Sequence, residues 1–238
     1  MASPTIALDV ASVVIKGAFN PAIFSPQWFI ANDLLGPDEG ADPVLDAITP
    51  QFAVFSIGWL KFQAVPDTLQ IQTESLDDTE QLRDLAIAIL RTLPHTPLSA
   101  LGINRNLHFD AGSRKRQNRI GDLLAPKKVW SSVLVHPAML STSIIGARRD
   151  GAFGGSVTVT VEPAPRMESG VHVSTNDHYD LTRDSRVPTS RDQIKVPQLN
   201  EPRTGLTSVA VEILRDRWTA SRLAADEIVA AISALGDR

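Results

Sequence analysis

The chain is 238 residues long, 43% hydrophobic and 21% charged, which suits one large domain or two packed halves and argues against extensive disorder. It contains no cysteine, which excludes disulfides, thiolate nucleophiles and cysteine-ligated zinc or iron–sulfur sites. The net charge of −4 is unevenly distributed: residues 1–100 hold four Lys+Arg and twelve Asp+Glu, whereas residues 101–150 hold nine and three. Such asymmetry favours an electrostatic partner: the other half of the molecule, another copy of it, or a polyanion.

The first half, residues 1–96, predicts strands around a short helix, followed by a longer helix. Ser25 and Pro26 are typical of an N-cap and a first helical position, and Asp78 begins the next helical pattern. Alternating apolar and polar residues predict the strands. The expected elements are a strand at 6–15, a helix at 25–35, an acidic loop at 36–50, strands at 51–65 and 68–73, and a helix at 78–92.

The second half, residues 97–238, is organised around residues 101–109. Apolar and polar side chains alternate there at a period of two, which predicts a strand with one buried and one open face. The other expected elements are a basic helix opened by Ser113, a helical piece from 125, strands at 139–148, 156–162 and 170–181, a glycine turn at 151–155, a polar loop at 183–203 and a long helix at 205–235.

Both halves share the order strand, helix, antiparallel strands, helix, and Trp28 and Trp130 stand at comparable places. This order resembles the saddle of TATA-binding-protein-like folds, and the first half alone resembles a ferredoxin-like βαββαβ unit; the resemblance concerns element order and implies no function. Two interpretations stay open, a pseudo-duplicated saddle-like arrangement of tightly packed halves or a single domain. Both predict an α+β fold, a mainly antiparallel sheet with helices on one face and a long C-terminal helix.

Polar, mostly uncharged residues are expected to share the open face of this sheet, where Lys and Glu are nearly missing. One interpretation is an ordinary solvent-facing side, and the other is a hydrogen-bonding surface for a partner or small ligand. The residues concerned are Asn104, Asn106, His108, Ser156, Thr158, Thr160, His172, Ser174, Asn176 and His178, with Gln70 and Gln72 from the first half.

Metal-dependent and hydrolytic chemistry find little support in the sequence. His172 and His178 lie six residues apart, about 20 Å along a regular strand, which is too far to share one ion. There is no Gly-x-Ser-x-Gly elbow and no His-Glu-x-x-His helix, and the glycines at 151–155 lead into a strand, unlike a phosphate loop. We predict no catalytic residue, no metal and no cofactor.

Seven basic residues fall within the 24 positions of residues 105–128, partly at a helix start, where exposed backbone N–H groups also favour an anion. A solvated helix face is the alternative interpretation. Arg105 is a separate case, because it falls on the apolar side of its strand and suits a buried pair with a carboxylate. The residues expected to bind an acidic partner are Arg114, Arg116, Arg119, Lys127 and Lys128.

The acidic loop at 38–46 also suggests a head-to-tail contact with the basic segment 114–128 of another copy. A poor secretory signal and the lack of a run of about 20 apolar residues predict a cytoplasmic protein with no membrane partner. We expect a non-catalytic protein that binds a protein partner or another copy through the polar sheet face, the basic segment or the 183–203 loop. The alternatives are a nucleic-acid-binding component using residues 105–128, disfavoured by the net charge, and an enzyme of undetected type.

Overall fold

The structure, a computed structural model, describes residues 5–39, 42–148, 154–182 and 200–237. These residues form nine strands and four α-helices. Their bounds are β1 Thr5–Gly17, α1 Pro26–Ala31, β2 Val44–Ile48, β3 Ala53–Ile57, β4 Leu60–Val65, β5 Thr68–Thr73, α2 Thr79–Thr92, β6 Leu98–Asp110, α3 Arg114–Leu124, β7 Thr142–Gly146, β8 Ser156–Pro163, β9 Gly170–Asp180 and α4 Thr207–Leu235.

All nine strands join one antiparallel sheet in the order β2-β3-β4-β5-β1-β6-β9-β8-β7. The long strands β1 and β6 pair at its centre, with Val13 opposite Ile103, and each is flanked by the meander of its own half. The predicted α+β class with a mainly antiparallel sheet and a long C-terminal helix is confirmed. Whether residues 1–96 and 97–238 are two units stays a prediction, although one sheet and one core include residues of both.

Two hydrophobic cores cover the same face of the sheet, one after the other along α4. The larger core joins β1, β3, β4, β5 and β6 to α1, α2 and the first half of α4, where Trp218 is buried. The smaller core joins β6, β8 and β9 to α3 and the end of α4, through Ile232 among others. α4 has 29 residues and is therefore about 43 Å long at 1.5 Å per residue, enough to cross the sheet.

Capping hydrogen bonds confirm two of the predicted helix starts, whereas Asp78 precedes α2 without a capping hydrogen bond to its side chain. The Ser25 hydroxyl accepts from the backbone N–H of Trp28 at 3.2 Å, and Pro26 occupies the first helical position. The Ser113 hydroxyl likewise accepts from the N–H of Arg116 at 3.3 Å. No helix within the described ranges is long and apolar enough to span a membrane.

Several predicted elements differ from the structure. The acidic loop at 36–50 contains the edge strand β2, and the single strand expected at 51–65 folds as the hairpin β3–β4, because Gly58 adopts a positive φ of 51° at the turn. The helical piece from 125 forms only a three-residue 3₁₀ turn at Lys127–Val129. Trp28 packs against Phe24 and Phe29, whereas Trp130 is 53% exposed, so their environments are not equivalent.

Most of the predicted glycine turn at 151–155 and of the loop at 183–203 lies outside the described residues. The end of the latter is described, and its residue Arg203 forms a backbone bridge with Leu98 at the start of β6.

Candidate binding surface

The predicted polar residues lie in cross-strand rows on the face opposite the helices. Antiparallel register places the members of each row directly across from one another, so their side chains are neighbours. The central row is Gln72, Ser12, Asn104, Asn176 and Thr158. Beside it run Val10, Asn106, Ser174 and Thr160, and then Leu8, His108, His172 and Glu162. On the other side lie Gln70, Val14, Gly102, His178 and Ser156, so β1 contributes apolar side chains to every row but the central one. We call the predicted residues together with Ser12 the polar face.

Gly102 has no side chain on the polar face, and the amide groups of Asn104 and Asn176 lie close to the space that a side chain would need. A Cβ on Gly102 would lie 3.2 Å from Oδ1 of Asn104 and 3.3 Å from Oδ1 of Asn176. Both oxygens are enclosed, and neither accepts a hydrogen bond from the described residues. An enclosed acceptor without a donor costs about 1–3 kcal/mol of stability.

The histidines of the polar face are split between two places. The rings of His108 and His172 lie 4.6 Å apart, and Nδ1 of His172 is 3.5 Å from Oε2 of Glu162. Burial, followed by the nearby His172 and Arg166, lowers the pKa of His108. His178 lies in a different row, beside Gly102, and burial is the main cause of its lowered pKa. Within the described ranges no group of three or more metal-ligating side chains is placed to hold an ion.

His178 should therefore make the fold sensitive to mild acid. Its pKa is lower in the folded than in the unfolded chain, so the unfolded chain binds more protons below about pH 6.5, and stability must fall as the pH falls. We expect the urea midpoint of the wild type to decrease from about pH 7.5 to pH 5.5, and to decrease less in His178→Gln. The exposed His95→Gln is the matched control. An equal decrease in His178→Gln and in the wild type would contradict this prediction.

The basic segment 105–128 is partly neutralised by its own fold. Arg105 lies on the helix-covered face, where Nη2 is 2.6 Å from Oδ2 of Asp9 and Nη1 pairs with Asp226, as its position on the apolar side predicts. The remaining predicted cations divide into two groups. Arg116 pairs with Asp237, Lys127 pairs with Asp122 and Arg114 donates to Gln117, whereas Lys115, Arg119 and Lys128 form no ion pair with described residues.

A second buried polar cluster, which the sequence did not reveal, lies beneath the middle of α4. Nε of Arg148 is 2.5 Å from Oδ1 of Asp177, while the hydroxyls of Tyr179 (2.8 Å) and Ser221 donate to Oδ2 of Asp177. Burial, with the charge of Asp177, raises the pKa of Tyr179 to about 12. A charged residue on the apolar side of β9 was a signal for such a cluster, but its partner comes from a loop of another hairpin.

The cavity beside the Asp9–Arg105 pair, beneath the middle of α4, is too small to hold a substrate. Asp9, Arg105, Thr175 and Ser221 help to line a cavity of about 20 Å³ there, which has room for about one water molecule. Asp9 and Asp177 are held by Arg105 and Arg148 in this interior, whereas the polar face lies on the opposite side of the sheet.

Comparison of the chain with protein-family models, with curated proteins and with solved structures gives no match. The fold and the surfaces described above are the basis for a functional proposal.

Proposed function

We propose that this chain is a non-catalytic cytoplasmic binding protein that docks a macromolecular partner, foremost another protein, on its polar face. The observation that carries the proposal is the central row on the side of the sheet opposite the helices, in which uncharged amides and hydroxyls succeed one another over β5, β1, β6, β9 and β8. Oδ1 of Asn104 and Oδ1 of Asn176 lie in this row, enclosed and without a hydrogen-bond donor among the described residues, and the side chains of Asn106 and Ser174 in the next row are half-buried. Hydrogen bonds of this kind favour recognition that depends little on salt.

The geometry suits a broad partner surface rather than a small substrate. The five strands of the central row span about 19 Å, since neighbouring strands lie about 4.8 Å apart. Ligand sites for small molecules are usually concave, because they must enclose most of the ligand. The side chains of His172 and Glu162, by contrast, are 21% and 42% exposed on a sheet face.

Ser174→Arg tests the proposal, because it places a long charged side chain among these uncharged groups. We expect a partner captured by the wild type to be lost, with affinity lowered about tenfold or more. Leu223→Arg is the matched control, because Leu223 is 57% exposed on α4, on the helical side of the molecule. Amide exchange should slow in β6 and β9 when the partner binds. Retention of the partner by Ser174→Arg would contradict the use of this face.

A second candidate function, nucleic-acid binding, rests on Lys115, Arg119 and Lys128, the cations without ion pairs among the described residues. If these three cations contact phosphates of duplex DNA, the logarithm of the binding constant should fall with that of the salt concentration at a slope of about −3. Anisotropy of a labelled oligonucleotide measures this slope. Lys115→Glu combined with Arg119→Glu should abolish such binding, while Ser174→Arg should not.

A further inference from the structure

Exposed apolar side chains are concentrated in two segments of the chain that contain the outermost strands of the sheet, β2 and β7. Sixteen large hydrophobic side chains are exposed among the described residues; four lie in residues 36–52, which we call the β2 edge, and eight in residues 123–146, the β7 edge. Val44 and Leu45 are 64% and 54% exposed at the first edge, and Leu140 and Ile144 are 86% and 64% exposed at the second. Contiguous exposed apolar surface on a folded chain marks an interface.

These two edges carry opposite charge. Residues 36–52 contain four Asp+Glu and no Lys or Arg, whereas residues 123–146 contain two Lys and no Asp or Glu. Because β2 and β7 are the outermost of nine strands, these two strands lie about 38 Å apart at about 4.8 Å per strand. That distance exceeds several Debye lengths of about 8 Å at physiological ionic strength, so the two edges do not neutralise each other within one molecule.

We propose that the β2 edge of one copy binds the β7 edge of a second copy, head to tail. A two-fold contact at either edge would place like charges against each other, and such juxtaposition disfavours a contact. A head-to-tail contact instead joins an acidic apolar edge to a basic apolar edge. The charges of the two edges therefore favour the head-to-tail contact over a two-fold contact.

The registers of the two edge strands support the same pairing. Leu45 stands opposite Phe55 in the β2–β3 pair, and Ile144 stands opposite Val159 in the β7–β8 pair. Phe55 belongs to the larger core and Val159 packs against the smaller one, so Leu45 and Ile144 both point to the helix-covered side. Joining the two edges would continue that apolar side from one copy into the next.

Contacts between side chains, rather than a long series of backbone hydrogen bonds between β2 and β7, would hold the two copies together. The β2–β3 register shifts between Leu45 and Ala47, which leaves Asp46 in a bulge. Bulges and charges on an edge strand discourage indiscriminate pairing with other strands. The exposed Lys128, which has no ion pair among the described residues, can supply a counter-charge from the β7 edge of the next copy. The polar face takes no part, so this inference does not depend on the function proposed above.

Sedimentation velocity of the full chain over a range of protein concentrations tests the contact. At about 0.01 M ionic strength the Debye length is about 30 Å, and at 1 M it is about 3 Å. We expect oligomers at low salt, with the dissociation constant raised about tenfold or more at 1 M. A monomer at every concentration in low salt would overturn the proposal, and so would association that is unchanged or stronger at 1 M, which marks a purely apolar contact.

Two edge variants then distinguish head-to-tail from two-fold association. Leu45→Lys disables the β2 edge and Ile144→Glu disables the β7 edge, and Leu223→Glu is the control on α4. Each edge variant alone should be monomeric, whereas an equimolar mixture should give a dimer that does not extend, because one intact edge of each kind remains. An edge variant that still dimerises alone would overturn the proposal, as would a mixture that stays monomeric.

Circular dichroism and the urea midpoint establish that each variant is folded, which is expected because the substituted side chains are exposed. Ser174→Arg separates the two proposals. It should leave self-association unchanged even where it removes a partner from the polar face, so failure of one proposal is visible without failure of the other.

Discussion

Asp9→Ala is expected to lower the free energy of unfolding by about 3 kcal/mol, because it removes the main partner of a largely buried guanidinium. Oδ2 of Asp9 lies 2.6 Å from Nη2 of Arg105 and Oδ1 lies 2.9 Å from its Nε, with 5% and 15% of the two side chains exposed. Breaking a buried pair costs about 3–5 kcal/mol. We expect the lower value because Asp226 remains as a second partner of Arg105.

Urea unfolding measures this difference, and two further variants test its cause. Asp226→Ala should cost less than about 1 kcal/mol, since the Asp226 side chain is 59% exposed and water screens the pair. Asp9→Leu combined with Arg105→Met should recover most of the loss, because it removes both charges and keeps apolar volume. Equal losses for Asp9→Ala and Asp226→Ala would contradict the assignment of Asp9 as the main partner.

Asp177→Ala is expected to lower the free energy of unfolding by a comparable or larger amount, about 3–5 kcal/mol, because three groups lose a shared charged acceptor at once. Its carboxylate receives Arg148, Tyr179 and Ser221, and only 10% of the Asp177 side chain and 5% of the Arg148 side chain are exposed. Asp177→Asn keeps an acceptor oxygen but loses the charge, so it should lower the free energy of unfolding by less than Asp177→Ala does.

Asn176→Ala is the matched control for Asp177→Ala, since Asn176 is its neighbour in β9 but points to the polar face. It should cost less than about 1 kcal/mol. Tyr179 is the sole tyrosine, so its ionisation can be followed by absorbance. Removal of Asp177 should bring the pKa of Tyr179 down from about 12 toward its ordinary value. A stable Asp177→Ala protein with an unchanged tyrosine titration would contradict the proposed cluster.

Local alternation was sufficient to predict which side chains share a sheet face. The period of two in 101–109 and 156–162 assigns each residue to a side without knowledge of the partner strand, and β6, β8 and β9 follow that assignment. The position of Arg105 predicted a buried carboxylate by the same logic. Its identity as Asp9 could not be predicted, because the two residues are 96 positions apart and meet only through the β1–β6 register.

Features that depend on contacts between distant segments were missed. β2 lies in an acidic stretch, and only its pairing with β3 makes it a strand. Trp130 was expected to occupy a place comparable to that of Trp28, because the residues from 125 onward resemble a helical segment. In the structure the Trp130 side chain is 53% exposed. The uneven distribution of charge along the chain could be predicted from the sequence. That β2 and β7 lie at opposite ends of one sheet is known only from the strand order.

The division of the interior into two cores has a consequence for the mechanics of the molecule. Among the residues that the structure describes, the larger core contains 28 buried side chains and the smaller one nine. Segments held by fewer buried apolar contacts open at a lower free energy than the rest of a domain. The last turns of α4, together with α3 and β7, are therefore expected to open locally at a lower free energy than the rest of the protein. A second copy arriving at the β7 edge would meet a surface that can adjust its shape, whereas the β2 edge that it presents is backed by the rigid aromatic interior.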